Sequence, residues 1–120
     1  MKHRTLHPHR AFILLLGLAL IKVPAMLWAQ TRSMPEAARQ LELVKLVRED
    51  CGSCHGRSLK GGLGPSLLPE DLRDLPSEAL RETILKGRQG TAMPPWQQFL
   101  SEADANWIVE KLQSEFPDVK

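Results

Sequence analysis

Apolar positions recur at helical spacing in three stretches of the chain, separated by segments rich in Gly and Pro. In the first, Ala37, Leu41, Val44 and Val47 follow a helical period up to Cys51. Ser33 and Glu36 ahead of them resemble a capping box, with Pro35 in the first turn. A second helix, capped by Ser77, carries Leu80, Ile84 and Leu85 and stops at Gly87. A third begins at Ser101 with Asp104, places Ala105, Ile108, Val109, Leu112 and Phe116 on one face, and ends at Pro117. A short helical turn over residues 69–75 is also expected. Residues 52–69 and 88–100 read as loops. β-Branched residues are few and scattered, so no strand is predicted. The expected fold is all-α, with three to four helices.

The amino terminus follows another pattern. Lys2, Arg4 and Arg10 precede the apolar run 11–21, after which come Lys22, Pro24 and small residues suited to cleavage after Ala25 or Ala29. A basic, then apolar, then small-residue order is that of a secretory signal peptide. The run falls short of the about 20 apolar residues a membrane span needs, although retention as an anchor is the alternative. Residues 1–29 are therefore expected to be a cleaved leader and residues 30–120 one domain. Export would place that domain in the periplasm.

Division at the leader changes the reading of charge. The formal net charge of +2 includes four leader cations and no leader acid, so residues 30–120 carry −2. Nothing in that balance argues for a nucleic-acid partner. Cleavage also removes His3, His7 and His9, leaving His55 as the one histidine of the mature chain. A cut after Ala29 leaves Met34 and Met93 as its methionines.

With 42% hydrophobic and 25% charged residues the chain is of globular composition, yet aromatics are only 5% and Tyr is absent. A short domain with two long loops buries little core of its own. A large apolar cofactor wrapped by those loops would make up the shortfall.

The sequence Cys51-Gly-Ser-Cys54-His55 points to that cofactor. It is the C-x-x-C-H signature of covalent c-type haem attachment. On a helical turn the two thiols share a face, and the adjacent imidazole can turn to the iron on that side. Three other readings fit less well. A thioredoxin-like redox pair needs a preceding strand, structural zinc needs four ligands, and a local disulfide leaves His55 unexplained. Met93, within Gly90-Thr-Ala-Met93-Pro94-Pro95-Trp96, is the candidate for the sixth iron ligand because its prolines stiffen the loop. A methionine that only fills a core gap is the alternative; Met34 is the other thioether. Arg88 and Trp96 flank this loop and could bond the haem propionates, or be a solvated cation and a core ring.

These motifs, with Gly64-Pro65-Ser66-Leu67 between them, resemble class I monohaem cytochrome c over residues 35–116. The resemblance implies that the Pro65 carbonyl accepts the other N–H of the axial histidine and that Leu67 presses on the haem face. It also implies that the first and last helices cross, with Leu41, Val44 and Val47 against Ile108 and Leu112. A closer likeness lies in Leu59-Lys-Gly-Gly-Leu-Gly-Pro65, the Gly87–Trp96 loop and residues 100–109. These are similar to NirC-type periplasmic cytochromes of the denitrification system around haem c/haem d nitrite reductase. That likeness implies one covalent haem c and single-electron exchange with the reductase or with haem d maturation enzymes such as a dehydrogenase.

The expected protein is thus a monomeric electron carrier rather than an enzyme. It would have His55 and Met93 on the iron, and no stable membrane insertion once the leader is gone. An open-site haem enzyme or gas sensor, in which Met93 is not a ligand, is the competing function. A basic cast of Arg57, Lys60, Lys86 and Arg88 could orient docking on an acidic partner, or be ordinary solvated surface.

Overall fold

The computed structural model describes residues 34–118. The leader, its cleavage after Ala25 or Ala29, and Ser33 lie outside the described residues. Helix α1 (Ala37–Leu46) passes without a break through a π-helical turn (Val47–Cys51) into α2 (Gly52–His55). After a long loop come α3 (Pro69–Leu72), α4 (Ser77–Lys86) and α5 (Glu102–Gln113). There is no strand among the described residues, so the architecture is all-α. Nor is any described helix long and apolar enough to cross a membrane.

The core joins the two ends of this domain. Leu43, Val44 and Val47 from the first helical run pack in one cluster with Ala105, Trp107, Ile108 and Leu112 of α5. Helix α5 is also in contact with α3 and α4. Among the described residues Trp107 is the one aromatic in the buried set, so aliphatic side chains carry the core. Arg39 of α1 fastens the join by bonding Asp104 at 3.1 and 3.3 Å and the Phe99 carbonyl at 3.0 Å.

Several expectations are corrected. Leu41 is 74% exposed, and Leu43 takes its place in the core. The face centred on residues 43, 44 and 47 leaves position 41 on the flank, where a leucine's propensity sustains the helix without packing. Helix α1 begins at Ala37, with Glu36 as an N-cap that makes no side-chain bond among the described residues; the Ser33 half of the expected capping box lies outside them. Ser77 is the first residue of α4 instead of its cap, and its hydroxyl donates to Gln113 Oε1 at 2.8 Å. The helix continues through Gly52 to His55, where a loop was expected. Phe116 lies beyond α5, which ends at Gln113 because the Ser114 hydroxyl takes the Glu110 carbonyl at 2.8 Å. The ring still packs, edge-on to Trp107 at 6.4 Å and under the Arg48 guanidinium at 5.3 Å.

The box at α5 forms as expected. Ser101 Oγ accepts from the Asp104 N–H at 3.1 Å, and Asp104 Oδ2 accepts from the Ser101 N–H at 3.0 Å. Gly87 ends α4 at φ +68°, a left-handed conformation that side chains resist.

Candidate functional site

Cys51 closes the π-helical turn and Cys54 follows on α2, so both thiols lie on one stretch of helix. Both are free; Cys51 is half-buried against the core and Cys54 is exposed. Burial pushes the Cys51 thiol up to about 11, with the nearby Asp50 charge adding to it. Cys51 is therefore a neutral thiol at physiological pH.

His55, the last residue of α2, is buried at 9% exposure. Its Nδ1 lies 2.7 Å from the Pro65 carbonyl oxygen. A carbonyl can only accept, so Nδ1 carries the proton and donates, which leaves Nε2 as the basic nitrogen. No hydrogen bond engages Nε2 among the described residues.

The loop after the motif is built to bring that carbonyl in. Gly61 N donates to His55 O and Gly64 N to Cys54 O, each at 2.8 Å, so α2's last carbonyls are satisfied by the loop itself. Leu67 N then bonds Leu59 O at 2.8 Å and closes the return. Gly64 lies flat on the imidazole: a Cβ there would fall 2.7 Å from His55 Cε1 and 2.8 Å from Nδ1. Only glycine lets the chain run this close to the ring. Leu67 is half-buried and packs against the core cluster.

The Met93 loop has its own frame. Arg88 N donates to Met93 O at 3.2 Å, and Met93 N donates to Thr91 Oγ1 at 3.3 Å. Beyond the prolines, Trp96 N bonds Ile84 O at 3.2 Å and Gln97 N bonds Leu85 O at 3.1 Å, which pins the loop back onto α4. Met93 is half-buried, and beside it lies a depression of about 460 Å³ bordered by Lys86, Arg88 and Pro94. Trp96 is half-buried against the core and meets Phe99 edge-on at 6.0 Å. Arg88 is exposed and forms no ion pair among the described residues.

Two clusters result. Cys51, Cys54, His55 and Pro65 are drawn together by one backbone frame; Arg88, Met93 and Trp96 belong to another, and no hydrogen bond links the two. Arg48 is a supporting residue that sequence reasoning missed. From the π-helical turn it donates to Arg57 O at 3.2 Å and to Phe116 O at 3.1 Å, tying the motif's loop to the carboxyl-terminal segment. A lone arginine on a polar helix face gave no signal of this.

The donor set decides which group fits. Among the described residues no cluster of three or more His, Cys, Asp or Glu side chains could hold a bare metal ion. Two free thiols, one imidazole with an unengaged Nε2 and one thioether instead suit an iron that arrives with its own in-plane ligands. They fit a haem.

Comparison with known proteins agrees. Residues 38–110 match the family model described as cytochrome c oxidase, cbb3-type, subunit III. Cytochrome c55X of Pseudomonas aeruginosa is 56% identical over 78 residues, which are 65% of this chain and 66% of that protein. The solved structure of the c-type cytochrome NirC superposes with a TM-score of 0.65 at 54% identity, over 66% of this chain and 93% of the other. The dihydro-heme d1 dehydrogenase of Pseudomonas aeruginosa is 43% identical over 67 residues, 56% of this chain but 14% of that enzyme.

Proposed function

The chain belongs to the c-type cytochromes, in the cbb3 subunit III-like domain family, with covalent haem c as its cofactor, and from that premise we propose that it is a periplasmic single-electron carrier of denitrification. When bound, the haem supplies a one-electron iron couple. The residues of this chain hold and tune it. Cys51 and Cys54 would anchor it as thioethers, and His55 Nε2 and the Met93 thioether would hold its iron. Pro65 fixes the imidazole's orientation and tautomer through Nδ1, which makes Nε2 a better donor. Leu67 and Trp96, half-buried on the core, would shield the site from water, and Arg88 would meet a carboxylate of the cofactor.

The observation that carries this reading is the buried His55, its Nδ1 held by Pro65 and its Nε2 free, directly after Cys54 and four residues after Cys51, two free thiols a turn apart. Held by a neutral imidazole and a thioether, the iron would have a raised reduction potential and would offer a substrate no ready point of entry. The role is therefore transfer and not catalysis. Denitrification is supported by the names of the relatives, a NirC cytochrome and a dihydro-heme d1 dehydrogenase that shares this domain. The partners are a haem c/haem d nitrite reductase or a haem d maturation enzyme.

Spectroscopy of the exported protein tests this. A covalent pyridine haemochrome, a long-wavelength thioether–iron(III) band and indifference of the reduced form to carbon monoxide are expected. Rapid uptake of carbon monoxide would overturn the carrier in favour of an open-site haem enzyme or sensor. Stopped-flow mixing with purified haem c/haem d nitrite reductase then tests the partner.

A further inference from the structure

Leu59 is the one residue other than glycine with a positive φ among the described residues, at +61°. A left-handed backbone crowds the Cβ of an L-residue against a carbonyl oxygen, and leucine resists it. Asparagine or aspartate can offset the cost with a local hydrogen bond; leucine has no polar atom to do so. The conformation is instead imposed from two sides. The side chain is buried at 2% exposure in the core cluster. The Leu59 N–H donates to the Gly56 carbonyl at 2.8 Å, and the Leu59 carbonyl accepts from the Leu67 N–H at 2.8 Å.

Strain of this kind persists only where the surroundings over-determine it, and it gathers where a backbone must be aimed. Here the two bonds fasten residue 59 between the start of the loop and its return. Gly56 directly follows His55. Leu67 lies two residues past Pro65, whose carbonyl meets His55 Nδ1 at 2.7 Å. The Ser66 hydroxyl adds a third tie, to the Leu59 carbonyl at 3.5 Å. With a negative φ at residue 59 the chain beyond it would leave in another direction, and the Leu67 bond could not close. Pro65 would then lose its register against the imidazole.

We infer that Leu59 is a positioning residue for His55: its left-handed backbone, locked by the core, closes the Leu67 bond and so holds the Pro65 carbonyl on the imidazole. This rests on the carrier reading, in which His55 serves the haem iron. The bond from Nδ1 to Pro65 makes Nε2 a stronger donor, and a stronger donor favours ferric over ferrous iron. Loosening residue 59 therefore raises the reduction potential without touching either axial side chain.

Three variants of the haem-loaded protein separate the conformation from the side chain. Leu59→Met keeps an apolar side chain of similar volume and is expected to match wild type. Leu59→Ala loses the anchor yet still resists a positive φ, whereas Leu59→Gly loses the anchor and adopts that φ freely. In the reduced protein, NMR should show the His55 Nδ1 proton exchanging about tenfold faster in Leu59→Ala. Equilibrium of that variant with a reference redox couple should shift about three- to tenfold toward the reduced form. Leu59→Gly should stay within about twofold of wild type on both readings and unfold at higher urea than Leu59→Ala. A leucine that only fills the core would move the urea midpoint and neither of the other two. Wild-type exchange and potential in Leu59→Ala, or a Leu59→Gly that shifts as far as Leu59→Ala, would overturn the positioning role. So would a Leu59→Gly chain that fails to load haem, because the side chain itself would then be what counts. Loading in Leu59→Gly but not in Leu59→Ala would uphold it. A wild type without covalent haem would overturn the carrier reading and this role together.

Discussion

Gly64 is the point where the backbone runs against the His55 ring. A methyl group there would press into the His55 ring at 2.7 Å, so Gly64→Ala must either push the imidazole off the Pro65 carbonyl or lift the loop. Overpacking of this kind costs about 1–3 kcal/mol, read as a lowered urea midpoint of the holoprotein. A shifted potential should accompany it if the tilt reaches the iron, whereas Met93→Ala is expected to leave the fold nearly intact. That substitution should remove the long-wavelength band, lower the potential and admit carbon monoxide; an unchanged spectrum would strip Met93 of its role. Cys51, Cys54 and His55 could be read from the sequence because the motif's chemistry is local and its spacing is that of a helical turn. Arg48 could not: its partners, the carbonyls of Arg57 and Phe116, are distant in sequence and leave no imprint on the residue type. Leu41 misled for the opposite reason, since periodicity alone counts a flanking leucine as part of the buried face.

At the level of elements, the start of α5 was legible and the start of α4 was not, and the difference lies in what the serine hydroxyls do. Ser101 has Asp104 in register to complete a reciprocal box, while Ser77 finds a side-chain acceptor, Gln113, on a neighbouring helix. Only the folded protein creates that competitor. The α5 box also makes a pH prediction. Burial alone would raise the Asp104 carboxyl, but bonds from Arg39 and Ser101 outweigh it and hold the group below the usual carboxylate range. A carboxyl depressed in the folded state contributes stability above its unfolded pKa of about 3.9 and loses it as pH falls through the folded value. Urea unfolding of the wild type should therefore show stability declining from about pH 4 downward. Asp104→Asn should cost about 1–2 kcal/mol at neutral pH and flatten the acid dependence. An unaltered acid profile in the variant would assign the decline to other carboxylates.

For the whole molecule, composition already posed the question that the fold answers in part. The buried set among the described residues is aliphatic with a single aromatic, and Leu67, Leu68, Leu80, Ile84 and Trp96 pack against it only half-buried. A domain of this size removes too little apolar surface from water to offset its conformational entropy comfortably. Covalent haem bears on both sides of that balance. Its faces would cover half-buried side chains, and its attachment is present in the unfolded chain too, so only its contacts and axial bonds distinguish the two states. Those contacts should then dominate stability. The expected outcome is that Cys51→Ala/Cys54→Ala, produced without haem, loses a cooperative thermal transition by circular dichroism and much of its helical signal. The wild-type holoprotein should melt sharply. The Met93→Ala holoprotein separates covering from ligation, because it keeps the buried cofactor and loses one axial bond. Melting close to wild type in that variant would assign stability chiefly to apolar burial; a large drop would assign it to the iron–thioether bond. A haem-free chain that melts cooperatively within a few degrees of the holoprotein would show that the aliphatic core suffices, and the cofactor's part in the fold would have to be given up.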